Sequence, residues 1–190
     1  MNEKLMDKPN QIMKLVNSNG KETTETLDRK SCHITPGKKH LAIQVLLFNA
    51  GNALILHERP LNKVGNGGLD SPTTHVLAGE SSEESARRCL LDEYGISEEI
   101  PITVLSGFSY EKDYGDGTCE NEFCLAAFAI YEGKINHNEE HTQKVIFVSA
   151  KKVLEEIKSD KYPVWFKETV RIVSKDENGK TFFEWKNYFS

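Results

Sequence analysis

Two neighbouring apolar segments place strong limits on how this chain can fold. The first, "HLAIQVLLFN" (residues 40–49), is rich in β-forming residues and long enough for a buried strand. A turn signal, "NAGN", separates it from "ALILHER" (residues 53–59), a second segment of the same kind. We expect these two strands to pair as a hairpin.

The later sequence alternates strand and helix patterns. The strongest helix pattern is "SSEESARRCLLDEYG" (residues 81–95), where Ser81 and Glu84 form a capping box and Gly95 is placed to end the helix. Further strands are predicted at residues 102–109, 121–131 and 143–149, further helices at 150–158 and 163–174, and a last strand at "KTFFEWK" (residues 180–186). This order predicts an α/β or α+β layered domain.

Composition limits the domain count and the partners. A length of 190 residues with 38% hydrophobic and 28% charged residues suits a single domain with one core. We divide the chain into a polar arm (residues 1–30) and a packed domain (residues 31–190). The net charge of −5, without a marked basic patch, argues against nucleic acid and favours a small-molecule partner. No signal peptide or membrane-spanning run is found, and the four cysteines lack a C-x-x-C pair, so we expect a cytoplasmic protein with no membrane partner.

Glu93 is unusual because it shares the inward stripe of its helix with Ala86, Cys89 and Leu90. An unpaired buried carboxylate is costly, so we expect a cation to meet it. That cation is either a nearby arginine such as Arg59 or a metal ion.

Imidazoles and carboxylates form a second candidate site. Glu120 and Glu122 point to the same face of a predicted strand, with carboxylates about 7 Å apart by strand geometry. Such a pair is either a solvated strand face or one half of a cation site. With His33, His40 and His75 it would suit a divalent ion such as Mn²⁺, Zn²⁺ or Mg²⁺, although each histidine can also be purely structural.

From about residue 33 to about residue 173 the chain resembles the Nudix superfamily. The Nudix box, anchored on Gly95, is represented by Thr74, Glu80, Arg88, Cys89, Asp92, Glu93, Gly95 and Ile96. The resemblance implies an α/β/α sandwich with a mixed β-sheet. Thr74 replaces the leading glycine and Cys89 replaces the first glutamate of the R-E pair, which counts against ordinary Nudix hydrolysis.

A narrower resemblance is to the type I isopentenyl diphosphate isomerases. Their pattern of H-x6-H, a histidine beside the box, and E-N-E is matched in order and spacing by His33, His40, His75, Glu120 and Glu122. The resemblance implies that these five residues hold one divalent metal. It also implies that Arg29, Arg59 and Lys63 contact a diphosphate, together with Mg²⁺ bound through Glu93.

The resemblance also assigns the groups that would carry the reaction. Moving a double bond needs an acid and a base, which in the family are a cysteine and the second glutamate of E-N-E. Glu122 is present as the base, but Thr73 occupies the cysteine position, and its hydroxyl has a pKa far too high to ionise at neutral pH. Tyr110 and Trp165 match the family's pocket aromatics, whose faces can stabilise a carbocation.

We therefore predict an isopentenyl diphosphate isomerase-like enzyme, monomeric or homodimeric, with Thr73 as the acid. Two alternatives stay open at this point. One is a Nudix hydrolase that cleaves a diphosphate with Glu80, Asp92 and Glu93, and the other is a non-catalytic relative that keeps the metal site.

Overall fold

The computed structural model describes residues 10–61 and 67–183. The nine strands found there are β1 (Ile12–Val16), β2 (Glu22–Asp28), β3 (His40–Phe48), β4 (Ala53–Glu58), β5 (Leu69–Asp70), β6 (Thr73–His75), β7 (Ile102–Asp113), β8 (Cys119–Ile130) and β9 (Lys144–Ser149). The helices are α1 (Arg29–Cys32), α2 (Ser82–Tyr94), α3 (Ala150–Glu155), α4 (Val164–Val173) and a final 3₁₀ helix (Gly179–Phe182). Among these described helices, none is both long enough and apolar enough to span a membrane.

The sheet is built around β3. One edge of β3 pairs in parallel with β8 along its whole length, and the other edge pairs antiparallel with β6. β7 continues the sheet antiparallel to β8, whereas β4 pairs antiparallel with β9 and β5. The sheet is therefore mixed, as predicted.

The expected hairpin of the two apolar segments forms only at its turn. β3 and β4 pair at Phe48 and Leu54, and the strands then diverge. The physical reason is competition for strand edges, because β8 and β6 bond to β3 while β9 and β5 bond to β4. Local pattern indicates that both segments are strands, but it does not select their neighbours.

Helices cover both faces of the sheet, which gives the α/β/α sandwich. On one face, α2 packs through Ala86, Leu90 and Tyr94 against alternate residues of β3, which are Leu41, Ile43, Val45 and Leu47. On the other face, α4 packs against Leu46 and Phe48. The α2 prediction is confirmed in detail, since Ser81 and Glu84 form both bonds of the capping box and Gly95 ends the helix at φ +67°.

Residues 12–28 of the predicted polar arm form an antiparallel pair of strands, β1 and β2. Met13 and Leu15 are buried, and Leu15 pairs with His40 of β3, so β1 belongs to the sheet. The residues of β2 are mostly exposed, which explains the polar composition. The division at residue 30 stays a prediction.

The prediction of a strand at residues 180–186 is wrong for residues 180–183, which are the part that the structure describes. Residues 179–182 form the 3₁₀ helix instead, and residues 184–186 lie outside the described residues. Phe182 stacks on Phe48 with ring centroids 4.3 Å apart, and Phe183 meets the same ring edge-on. The aromatic pair thus packs against the core next to α4 rather than extending the sheet.

Candidate functional site

Five side chains from four parts of the fold converge on one point. His33 follows α1, His40 begins β3, His75 ends β6, and Glu120 and Glu122 lie near the start of β8. One ligand atom from each of the five lies within 4.8 Å of all the others. The strand register explains the convergence, because His40 lies directly opposite Glu122 and His75 lies opposite Ala42.

The histidine rings are oriented by the backbone. His33 Nδ1 lies 2.7 Å from the carbonyl oxygen of Arg29, and His40 Nδ1 lies 2.8 Å from that of Lys38. A carbonyl can only accept, so each Nδ1 carries the proton and each Nε2 presents a lone pair to the cluster. These backbone contacts select the ring tautomer that metal binding requires.

Several polar atoms of the cluster have no protein partner that would satisfy them. His33 Nε2, His40 Nε2 and Glu120 Oε2 are buried without a hydrogen bond, although His33 Nε2 and Glu120 Oε2 are only 3.1 Å apart. Buried polar atoms are almost always paired in native proteins. Unpaired acceptors that face each other therefore indicate a site for a cation.

At His75 and Glu122, charge and burial favour the protonation states of metal ligands. Burial lowers the pKa of His75 to about 3, and the positive charge of Arg29 acts in the same direction. Burial pushes the pKa of Glu122 upward, but contacts with His40 and His75 more than offset it, so the net shift is downward. A neutral imidazole and an ionised carboxylate are the forms that bind a divalent ion. At His33 burial lowers the pKa but contacts with Glu120 more than offset it, and burial raises the pKa of Glu120.

The candidate acid and base lie on the same face of the sheet, on opposite sides of β3. Thr73 of β6 pairs with Gln44 of β3, so its side chain points to the face that carries His75, while Glu122 belongs to β8 beyond β3. The spacing of strands puts β6 and β8 about 10 Å apart. A substrate lying over β3 would therefore have Thr73 on one side and Glu122 on the other.

Each of these two groups already has a hydrogen-bond partner. The hydroxyl of Tyr110, directly across from Glu122 in the register, donates to Glu122 Oε2 at 2.6 Å. The hydroxyl of Thr73 donates to the carbonyl oxygen of Ile43 at 3.3 Å. Burial raises the pKa of Tyr110 well above its ordinary value, so the phenol keeps its proton as a donor.

Trp165, Arg59 and Tyr110 form one wall of the same region. The guanidinium of Arg59 lies 5.4 Å from the centroid of the Trp165 ring, and the rings of Trp165 and Tyr110 are 5.7 Å apart. Asp70, which was not among the predicted site residues, links two members of the wall. Its Oδ2 accepts from Arg59 at 2.6 Å and from the Trp165 indole at 2.9 Å.

Arg29 and Lys63 were also predicted to contact the diphosphate, and the structure describes Arg29 but not Lys63. The side chain of Arg29 donates to Gln11 Oε1 at 2.9 Å, and its positive charge acts on His75.

Glu93 is buried near Thr73 and is not one of the five members of the cluster. Its carboxylate lies 3.5 Å from the amide nitrogen of Thr73, 3.6 Å from Cys89 Sγ and 4.0 Å from His57 Nε2. Burial raises the pKa of Glu93 to about 8, while the charge of Arg59 opposes that shift. The two cations considered as partners of Glu93 were an arginine such as Arg59 and a metal ion. Arg59 makes its short ion pair with Asp70 instead.

Three other residues of the Nudix box, Thr74, Glu80 and Arg88, are linked by hydrogen bonds. Arg88 donates to both oxygens of Glu80 at 2.7 and 2.8 Å, to the carbonyl oxygen of His75 at 2.8 Å and to the hydroxyl of Thr74 at 3.2 Å. The hydrogen bonds from Arg88 lower the pKa of Glu80 to about 2. The network joins α2 to the strand that carries His75.

Comparison with known proteins agrees with this architecture. Isopentenyl-diphosphate Delta-isomerase of Streptomyces coelicolor is 27% identical over 157 residues, which cover 82% of this chain and 79% of that protein. The Escherichia coli protein of the same name is 30% identical over 128 residues, or 66% and 70% of the two chains. The crystal structure of DR0079 from Deinococcus radiodurans shares the fold with a TM-score of 0.62 at 16% identity, covering 85% of this chain and 97% of that one.

A sequence model of the NUDIX domain matches residues 38–167, from just before β3 into α4. This match spans strands β3 to β9, the box helix and every described candidate residue except Arg29 and His33. The chain therefore belongs to the NUDIX domain family.

Proposed function

We propose that this protein is a divalent-metal-dependent isomerase that interconverts isopentenyl and dimethylallyl diphosphate. The observation that carries the proposal is the convergence of three imidazoles and two carboxylates whose buried acceptor atoms lack protein partners. The names of the two isomerase relatives support the same substrate class. A generic diphosphate hydrolase would have no use for this five-membered group.

The five residues fit one divalent metal ion, and we propose that His33, His40, His75, Glu120 and Glu122 hold it. The mixed nitrogen and oxygen donors suit Mn²⁺, Zn²⁺ or Mg²⁺. When bound, such an ion supplies positive charge that keeps Glu122 ionised and fixed in place.

The side chains of the pocket account for the proton movements. Isomerisation adds a proton to the terminal methylene carbon and removes one from the saturated carbon beyond the branch point. Glu122 Oε1 faces the imidazoles of His40 and His75, so Oε2, held by Tyr110, is the oxygen that accepts the substrate proton. The ring faces of Tyr110 and Trp165 stabilise the positive charge that develops at the branched carbon.

Thr73 stands on the side of β3 from which the other proton must arrive. An alcohol is a much weaker acid than a thiol, so proton donation by Thr73 limits the rate. We therefore propose a slow isomerase rather than an inactive one.

The diphosphate group needs cations next to this pocket. We propose that Arg59, Arg29 and Lys63 contact it, together with Mg²⁺ bound through Glu93. The position of Arg59 over Trp165 and the burial of Glu93 beside Thr73 support this arrangement.

Hydrolysis by the box is the weaker candidate. Cys89 replaces a carboxylate there, and Glu80 is engaged by Arg88. We further propose that the protein acts in the cytoplasm as a monomer or homodimer, on a small-molecule diphosphate and without nucleic acid.

The test is proton NMR of isopentenyl diphosphate incubated with the purified protein, Mn²⁺ and Mg²⁺ in heavy water. We expect dimethylallyl diphosphate, or deuterium in the isopentenyl carbons, and we expect neither with the Glu122→Gln variant. Release of phosphate without exchange would favour the hydrolase. An unchanged substrate with metal-loaded protein would refute the isomerase.

A further inference from the structure

Asp70 lies at the meeting point of four hydrogen-bond donors. Its Oδ2 accepts from Arg59 Nη1 at 2.6 Å and from Trp165 Nε1 at 2.9 Å, and its Oδ1 accepts from Gln44 Nε2 at 2.6 Å and from the amide of Ser71 at 2.9 Å. The side chain is completely buried. Strands β3 and β5, helix α4 and Arg59, the residue after β4, are thus tied together through one carboxyl group.

The contacts fix the charge of this group. Arg59, the Trp165 indole and the Ser71 amide can only donate, so three of the four contacts require an acceptor at Asp70 and oppose the effect of burial, which raises its pKa. Its hydrogen bond with the guanidinium is short, as expected for two ionised partners. Asp70 is therefore a carboxylate that neutralises Arg59 inside the pocket.

We propose that Asp70 is a specificity-determining residue that competes with the phosphate groups of the ligand for Arg59. This inference rests on the proposed function in one respect, since it takes Arg59 as a diphosphate contact. A second anion that approaches Arg59 meets the negative charge of Asp70 at short range. The repulsion grows with the charge of the ligand, so Asp70 disfavours free highly charged anions relative to those neutralised by Mg²⁺.

The structure offers a conservative variant that removes the charge alone. In Asp70→Asn, the amide oxygen can still accept from Arg59 and Trp165. The new amide group would face Gln44, whose Oε1 is buried without a partner. If the Gln44 amide turns over, that oxygen accepts the new hydrogen bond, so most of the network survives.

The experiment is calorimetric titration of inorganic pyrophosphate and of inorganic phosphate into the folded, Mn²⁺-loaded protein without added Mg²⁺, and any gain in affinity should shrink when Mg²⁺ is added. We expect Asp70→Asn to bind pyrophosphate roughly tenfold more tightly than the wild-type chain, with a smaller gain for phosphate. Asp160→Asn, the same substitution at an exposed residue, is the matched control and should change neither affinity. A purely structural Asp70 would give weaker binding, never a gain.

A double-mutant cycle separates this inference from the proposed function. In the Arg59→Gln background the gain from Asp70→Asn should disappear, because the positive charge that Asp70 neutralises has been removed. If Arg59→Gln alone leaves pyrophosphate binding unchanged, the proposed diphosphate site itself is wrong. If Arg59→Gln weakens binding but Asp70→Asn does not strengthen it, the competition is refuted.

Asp70→Ser provides a second route, since it removes the charge and leaves room for a water molecule. It should strengthen pyrophosphate binding in the same direction. If neither variant folds, Asp70 is a structural residue and the proposal is overturned.

Discussion

The cluster of three histidines and two glutamates and the Nudix box both contain acidic residues, but their polar atoms are satisfied in different ways. In the cluster, His33, His40 and Glu120 each keep a buried atom without a hydrogen bond. In the box, Glu80, which precedes α2, and Arg88 of α2 are both only partly buried and satisfy each other. Unpaired acceptor atoms, rather than the number of carboxylates, therefore indicate which region can hold a cation.

The box helix also makes a hydrogen bond to a residue of the cluster. Arg88 of α2 donates to the carbonyl oxygen of His75, so the box helix supports the strand that supplies one candidate ligand. Cys89, at the position of a box glutamate, is buried against Glu93. The helix thus serves as a scaffold for the cluster, and each region can be tested by substitution.

The largest effect is expected from removing an imidazole of the cluster. His40→Ala should lower the affinity for Mn²⁺ by at least about 100-fold, because it deletes a buried donor that the backbone orients. The measurement is metal content after dialysis, with affinity from a competing chelator. Glu80→Gln is the control in the box and should keep its metal; the opposite pattern would reverse the comparison.

The next largest effect is expected at Thr73, the proposed acid, which lies across β3 from Glu122. Thr73→Cys should raise the rate of isopentenyl diphosphate isomerisation roughly 100-fold, because a thiol is a far better proton donor than an alcohol. The rate is followed by the same NMR assay. No gain in a folded, metal-loaded variant would mean that the pocket has been adapted to different chemistry.

A smaller effect is expected from cutting the link between the two regions. Arg88→Ala should weaken Mn²⁺ binding about tenfold and lower the free energy of unfolding by about 2 kcal/mol, since it leaves Glu80 Oε1 and the carbonyl of His75 without their side-chain donor. Chelator competition and urea unfolding measure the two effects. Arg87→Ala, at the exposed neighbour, is the control; equal losses in both variants would remove the scaffold role.

The same comparison shows how far sequence reasoning extends. The capping box, the glycine that ends α2 and the position of β8 follow from local patterns, and the structure has them within a few residues. The residue types alone made the five clustered residues candidates, but their convergence was expected only from a family resemblance, because nothing in the spacing of His33 and Glu120 shows that they meet. Their role as ligands stays a prediction.

Long-range contacts were beyond the sequence. Arg59 was considered as the partner of Glu93, yet its short ion pair is with Asp70, eleven residues away along the chain. Gln44 and Trp165 reach the same carboxylate from other elements. Such a network depends on how strands and helices pack, so no local periodicity reports it.

The smallest effect is a pH dependence on the box side of the molecule. His57 is buried next to Glu93, its Nδ1 lies 3.1 Å from the Tyr94 hydroxyl, and burial lowers its pKa to about 3. The unfolded chain binds a proton to this histidine near pH 6.5, which the folded chain does not, so stability is lost as the pH falls below 6.5. At pH 5 the loss is about 2 kcal/mol.

The measurement is urea unfolding of wild-type and His57→Gln proteins at pH 7 and pH 5, with metal removed by a chelator. Glu93 acts in the opposite direction, because its raised pKa lets the folded chain bind a proton first as the pH falls, and His75 acts in the same direction as His57. Both groups are present in the two proteins, so the difference between the proteins isolates His57. Adding Mn²⁺ should change the contribution of His75, which belongs to the cluster, and leave the His57 difference intact. A His57 difference that vanished with Mn²⁺ would show that the metal reaches the box side, and the two regions would then form one site.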